Sequence, residues 1–454
     1  MSTDIGAVSN GSNEGPALGS GRVIPNSQMI FWSCLVGFVG GLLAIVYYFL
    51  LNGAIHLVWT KLAGLDWLNM PLTSGFYPRV LIITTVGGFF VGLVLKFIGS
   101  PGEIAAVVNN IHMERGRIDV RQTPSMVAAS LVSITAGGSA GPEAPLVQIL
   151  GSFGSWVGDR LKLRGDLVRT LTFCGMGTAL GAFFGAPLGG ALFALEIPHR
   201  RGLEYFEALV PSIIAALIGF FVFRSAVGYE GAIYHMAALK ELTLGTVAWG
   251  VLFGLLGGAV GTLFILLFSL TEHLFRPLHK HTILLATLGG LLIGLIAQIA
   301  PVSLFWSELQ LPGLLNAAPD YVAHHGVRAA VWLLLFIALS KMIAVGVTLH
   351  TGFRGGFIFP LFFIGAAIGL AITLAFPALP AAVVVLCMMA AVNVAVTKTP
   401  ISTAVILTTL SGTSYMPALV GACFASFLLT TRVSLIRTQR SRASVPSTLA
   451  TSGS

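Results

Sequence analysis

One carboxylate lies in a segment whose residue types suit the binding of an anion. Residues Gly141-Pro142-Glu143-Ala144-Pro145 place Glu143 between two prolines, after a Gly-rich approach (136–140) and before apolar residues. Proline lacks an N–H group and therefore suits the first turn of a helix, which predicts that Glu143 lies at a helix N-terminus. The free amides and the dipole of such a terminus favour an anion. A dissolved anion would compete with the carboxylate for this position, so Glu143 is a candidate gate.

The Glu143 segment has a counterpart in the second half of the chain. Residues Gly355–Leu361 resemble Gly141–Leu146, and Pro145 and Pro360 are 215 residues apart. A second pair, Pro187 and Pro400, is 213 residues apart, each opening a similar apolar run. The two offsets predict an internal repeat with halves at about 30–227 and 243–435. Broken helices from the two halves of such a repeat meet near the membrane midplane, and Ser100-Pro101 marks a further break that we expect to contribute there.

The elements that position these residues are membrane helices. Of 454 residues, 56% are hydrophobic and 9% charged, with a mean hydropathy of +0.90, whereas a soluble domain carries about 25% charged residues. Several apolar runs reach the length of about 20 residues that spans a bilayer. The 54 glycines predict closely packed helices. Because a charged residue costs roughly 2.5–3.5 kcal/mol at the bilayer centre, an acid such as Glu143 there indicates a function.

The chain divides into one membrane domain and two polar ends. We expect residues 1–27 to be a disordered cytoplasmic N-terminus, 28–436 the transmembrane domain, and 437–454 a short basic cytoplasmic tail. Arginines in the last stretch, and the absence of Asp and Glu after Asp320, place the C-terminus in the cytoplasm by the positive-inside rule. The short ends favour an integral multi-pass protein of a bacterial inner membrane.

The same motifs resemble those of the chloride channel/transporter (CLC) family. Gly141–Pro145 looks like its GREGP signature, Gly356–Pro360 like its GxFxP signature, and Gly99–Glu103 is a shortened GSGIPE. The resemblance implies an all-α polytopic membrane protein with an inverted internal repeat of tilted and broken helices. It also implies a homodimer in the lipid bilayer, with one pathway per subunit for chloride or a similar anion. No cofactor, metal or nucleic-acid partner is expected.

The resemblance assigns roles to individual residues. Glu143 is the gating glutamate, whose carboxylate competes with chloride. The central anion is held by the side chain of Ser100 and the backbone amides of Phe357 and Ile358, and the predicted anion-binding set also includes Gly141 and Pro142.

Three departures from the family pattern bear on mechanism. The serine motif is one residue short. Ile436 stands where the family has a tyrosine that contacts the central anion. Ile197 stands where antiporters carry a second glutamate, whereas Glu196 matches the preceding acid, which channels and antiporters share.

Without an acid at Ile197, the sequence favours a passive chloride channel or uniporter gated by Glu143. A chloride/proton antiporter with a non-standard internal route remains the alternative; its candidate proton path comprises Glu143, Glu196, Glu204 and Glu207. Retention of Pro145 argues against fluoride. Pro101 beside Ser100 leaves nitrate open.

Function classes other than transport have little support in the sequence. A membrane-embedded enzyme would need a nucleophile with a base and an orienting group, and no recognisable nucleophile motif or phosphate-binding loop is present. A structural scaffold would not need an acid between broken helices.

Overall fold

The computed structural model describes residues 21–99, 101, 116–201, 206–228, 234, 243–412, 415–436 and 439–441. Within these ranges the chain forms fifteen α-helices: α1 (Asn26–Ile55), α2 (Pro78–Phe97), α3 (Thr123–Thr135), α4 (Glu143–Arg160), α5 (Gly165–Phe184), α6 (Pro187–Glu196), α7 (Phe206–Val227), α8 (Leu244–Phe275), α9 (Thr282–Ile299), α10 (Leu311–His325), α11 (Val327–His350), α12 (Ile358–Ala375), α13 (Ala381–Thr397), α14 (Pro400–Ser411) and α15 (Met416–Thr430). A π-helical turn, His56–Leu62, extends α1, and two short strands, β1 (His199–Arg201) and β2 (Arg440–Ser441), pair in parallel.

The helix lengths and compositions fit a polytopic membrane protein. Among the described residues, eight helical segments are long and apolar enough to cross a bilayer, and three further apolar helices are shorter. Proline opens or nearly opens α2, α3, α6, α14 and α15, where the absent amide costs no hydrogen bond. The short helices interrupt the bundle and end inside it.

Small residues let the helices approach closely. Where α2 crosses α9, a Cβ added to Gly88 would meet the carbonyl oxygen of Ala286, and one added to Gly290 would meet the carbonyl oxygen of Thr84. Only glycine permits this backbone contact. The glycine content thus serves helix packing, as expected for a bundle in lipid.

The two halves follow the same order of elements. Helices α4 and α12 both begin after a Gly-rich motif, and α6 and α14 both begin with proline. At the first motif pair, Gly141 and Gly356 exchange two backbone hydrogen bonds, with N–O distances of 2.7 and 2.6 Å. At the second, Gly189 of α6 lies against Ile406 of α14. The boundaries of the halves, 30–227 and 243–435, stay a prediction.

The described ends of the chain pack onto the helical body. Arg22 donates its amide to Lys162 and accepts the amide of Arg164, and α1 begins at Asn26. The predicted disordered segment 1–27 is therefore too long, because residues 21–27 are tied to the α4–α5 turn. The predicted tail boundary is also imprecise, since β2 pairs with β1. Residues 1–20 and 442–454 lie outside the described part.

Candidate anion gate

Glu143 is the first residue of α4, and its side chain reaches the start of α12. The side chain is 1% exposed. Its Oε1 accepts a hydrogen bond from the backbone amide of Phe359 at 3.2 Å. Phe359 lies in the first turn of α12, where amides have no partner within the helix. The carboxylate therefore occupies a helix N-terminus supplied by the other half of the chain.

The carboxylate is held by dipoles rather than by a full positive charge. Its second oxygen, Oε2, has no hydrogen-bond partner. The ion pairs among the described residues are Arg117–Asp159 and Arg164–Asp166, both on the surface of the α3–α5 region. A carboxylate bound by one amide can leave its position, as a gate must.

Two glycines leave room for this carboxylate. A Cβ added to Gly141 would lie 2.7 Å from Glu143 Cδ, and one added to Gly356 would lie 2.9 Å from the same atom. Real carbon atoms do not approach so closely without a shift. The backbone pairing of Gly141 with Gly356 thus forms a cradle that only glycines allow.

The predicted anion-binding residues that the structure describes lie around this cradle. Gly141 pairs with Gly356, and Pro142 is the residue before α4. Phe357 precedes α12 and Ile358 opens it, with exposures of 4% and 3%. The predictions thus bring together Glu143, Gly141, Pro142, Phe357 and Ile358. Ser100 lies outside the described residues, so its contribution stays a prediction.

Aromatic packing fixes the amide that binds Glu143. The Phe359 ring contacts the rings of Phe183, Phe184 and Phe362, with centroid distances of 5.5, 5.4 and 5.9 Å. All are buried, and Phe183 and Phe184 come from the end of α5. The sequence analysis missed this cluster, for which the adjacent aromatic pair at the end of an apolar run was the available signal.

Glu196 lies at a second helix N-terminus. Its carboxylate accepts hydrogen bonds from the amides of Ile401 and Ser402, at 3.1 and 2.9 Å, and from Ser402 Oγ at 2.6 Å. This repeats at α6–α14 the relation of Glu143 to α12. With both oxygens bonded, Glu196 has the geometry of a fixed cap.

The other predicted proton-path acids contribute less to the described site. Glu207 is exposed in the first turn of α7. Glu204 lies outside the described residues. Ile197 is 7% exposed, and its carbonyl accepts a hydrogen bond of 2.8 Å from Gln439 Nε2. Position 197 thus supplies packing and a carbonyl, but no titratable group.

Ile436 is buried at 2% exposure, so no hydroxyl is offered at the position where the family has a tyrosine.

The loop between α9 and α10 carries buried charged contacts that the sequence analysis did not identify. Lys341, in the middle of α11, donates to the carbonyls of Ser303, Leu304 and Phe305 at 3.0, 3.3 and 2.7 Å. Glu308 is 7% exposed and accepts a 2.9 Å hydrogen bond from Trp306 Nε1. A lone lysine inside an apolar run was the signal for the first.

A polytopic bundle with a buried acid at a helix N-terminus defines an anion transport protein of the membrane. The sequence model of the voltage-gated chloride channel family matches residues 87–431. The chain belongs to this family, which is also called the CLC family.

Similar proteins agree with this assignment. The chain is 29% identical over 370 residues to a chloride/fluoride channel protein of Pseudomonas syringae pv. tomato, covering 80% of this chain and 79% of the relative. It is 26% identical over 371 residues to the putative ion-transport protein YfeO of Escherichia coli, covering 80% and 83%.

Solved structures share the fold. A CLC-type fluoride/proton antiporter superposes with a TM-score of 0.75 at 20% identity, covering 91% of this chain and 98% of that one. A slow cyanobacterial Cl−/H+ antiporter gives 0.71 at 20% identity, covering 90% and 95%. The predicted all-α CLC-like fold is confirmed, and the protein is an anion transporter or channel rather than an enzyme.

Proposed function

We propose that the protein conducts chloride passively across the membrane, as a channel or uniporter, with Glu143 as its gate. The observation that carries this proposal is the contact of the Glu143 carboxylate with the Phe359 amide at the N-terminus of α12. A carboxylate oxygen at that amide takes the place of an anion. Protonation removes the charge that the helix terminus attracts, so acid releases the side chain and opens the pathway.

The anion site is suited to passage rather than to tight binding. Backbone amides such as those of Phe357 and Ile358 present partial charges, and the described ion pairs lie elsewhere. An anion bound by dipoles can leave on either side. We assign Gly141 and Pro142 to the same path, and Ser100 to its inner part by resemblance.

The absence of an acid at position 197 favours passive flux. Proton-coupled exchange needs a titratable group at each end of a proton route, and Ile197 cannot serve. Glu196, in turn, is fully engaged with Ile401 and Ser402.

Proton-coupled exchange is the second candidate, favoured by the titles of the structural neighbours, which are antiporters. It would use Glu143 with Glu196, Glu204 or Glu207. The relative from Pseudomonas syringae is named for chloride and fluoride, so fluoride is the alternative anion, whereas the retained Pro145 favours chloride. Nitrate is the third.

The test is anion efflux from proteoliposomes with external pH recorded at the same time. Passive transport predicts chloride efflux without stoichiometric proton movement, faster at acidic pH. Glu143→Gln should flow at the acid-stimulated rate at every pH. Asp320→Asn, an exposed acid on α10, is the matched control. A fixed proton-to-chloride ratio would establish the antiporter, and unchanged pH dependence in Glu143→Gln would refute the gate.

Fluoride and nitrate replace chloride in parallel assays, and the fastest anion identifies the physiological class. We further propose a homodimer in a bacterial inner membrane with a cytoplasmic C-terminus. Light scattering of the detergent-solubilised protein measures the oligomeric state. Labelling of a cysteine placed at Ser454, from either side of the membrane, tests the orientation.

A further inference from the structure

A second buried acid lies close to the gate. Glu308 is in the loop between the membrane helices α9 and α10, at 7% exposure, and Trp306 Nε1 donates to its Oε2 at 2.9 Å. The Trp306 ring lines the same small apolar cavity as Pro142 and Leu146, which flank Glu143. The loop that carries Glu308 is therefore part of the wall around the gate.

This loop is fixed in position. Phe305 donates its amide to the carbonyl of Gly137, in the Gly-rich approach to Glu143, at 3.4 Å. Lys341 binds the carbonyls of residues 303–305, and Gln310 Nε2 binds the carbonyl of Trp67 at 3.1 Å. Glu308 is thus held by contacts on both sides, so its distance from the gate does not depend on a mobile loop.

The charged groups around Glu308 include Glu143. Burial, with the nearby charge of Glu143, raises the pKa of the Glu308 carboxyl to about 8, while the Trp306 hydrogen bond and the guanidinium of Arg224 act in the opposite direction. Two carboxylates in one buried region are costly to ionise together.

An unused hydroxyl faces both acids. Tyr234 is 1% exposed, and its Oη has no hydrogen-bond partner. The side chain interacts electrostatically with Glu308 and with Glu143. A buried hydroxyl costs free energy when it is left without a partner. Its position supplies a donor to whichever carboxylate remains charged when the pair holds one proton.

We propose that Glu308 is a second proton-binding residue of the Glu143 gate, so that acid opens the pathway by titrating a pair of carboxyl groups. This inference rests on the proposed gating role of Glu143. Each carboxylate disfavours the charge on the other, and the two protons bind in coupled steps. Flux should therefore rise over a wider pH range than one carboxyl group would give.

Removing the charge of Glu308 has a defined sign. A neighbouring negative charge favours the protonated, released form of Glu143. Without it, more acid is needed to open the gate, so Glu308→Gln should move the pH of half-maximal flux down by roughly half to one pH unit. The curve should also narrow to that of a single carboxyl group. Trp306→Phe removes a donor that favours charged Glu308, so it should shift the curve in the same direction by less.

The experiment is chloride efflux from proteoliposomes over a series of pH values, for the wild type, Glu308→Gln, Trp306→Phe, Glu143→Gln and the control Asp320→Asn. A downward shift in Glu308→Gln, with none in Asp320→Asn, supports the inference. An unchanged or upward-shifted curve overturns it while leaving the single-residue gate intact. If Glu308→Gln does not fold, Trp306→Phe decides by the same criterion. Persistent pH dependence in Glu143→Gln would instead refute the proposed gate itself.

Discussion

Gly356→Ala is expected to force the gate open at neutral pH. The added Cβ would lie 2.9 Å from Glu143 Cδ and 3.1 Å from Glu143 Cβ, and would also meet Oε2. Carbon atoms at rest lie about 3.5–4.0 Å apart. The variant therefore crowds Glu143 in its closed position, whereas the released side chain escapes the contact.

The magnitude follows from the cost of overpacking. Extra methyl groups in a packed interior cost typically about 1–3 kcal/mol. Because this strain is confined to the closed state, it shifts the closed-to-open equilibrium by about 5- to 150-fold. Neutral-pH chloride efflux should approach the acid-stimulated rate, and the ratio of the two rates should fall towards one.

The assay is the ratio of acidic to neutral efflux in proteoliposomes, which is insensitive to the amount of active protein. Gly355→Ala is the matched control, because its Cβ would meet Ala140 Cβ at 2.6 Å rather than Glu143. In a Glu143→Ala background, Gly356→Ala should leave the ratio unchanged. If folded Gly356→Ala kept the wild-type ratio, the carboxylate would not occupy this cradle when the pathway is closed.

Two further predictions concern stability. Lys341→Met keeps the length of the side chain but leaves three buried carbonyls without their donor, so we expect a loss of about 3 kcal/mol, seen as a lower unfolding temperature in detergent; a Tm within error of the wild type would contradict this. Glu196→Gln weakens three hydrogen bonds to the start of α14 and should cost about 1.5–3 kcal/mol. The same Tm measurement applies to it, and passive flux with its pH dependence should survive. Loss of pH dependence would show that Glu196 takes part in gating.

The sequence was sufficient for the class of protein and for the start of the gate. Its low charge and long apolar runs predict membrane helices, because the bilayer excludes charge and demands internal hydrogen bonding. The prolines and glycines around Glu143 predict a helix N-terminus, because those residue types act on the backbone locally. The equal offsets of the paired motifs predicted that Gly141 and Gly356 would correspond, and the two residues pair.

The partners of the buried charges needed the tertiary structure. Glu143 binds the amide of Phe359, 216 residues away, and Glu196 caps a helix that begins 204 residues later in the chain. Glu308 looks like an ordinary loop acid in the sequence. Its proximity to Glu143 depends on how the loop after α9 folds over Gly137.

The sequence by itself determined that this chain is a bundle of membrane helices with an acid at the start of one broken helix, since composition and proline position act over a few residues. Only the tertiary structure decided which helix terminus receives that acid, which glycines leave room for it, and which second acid lies beside it. Those relations depend on the packing of elements far apart in the chain, which no local preference specifies.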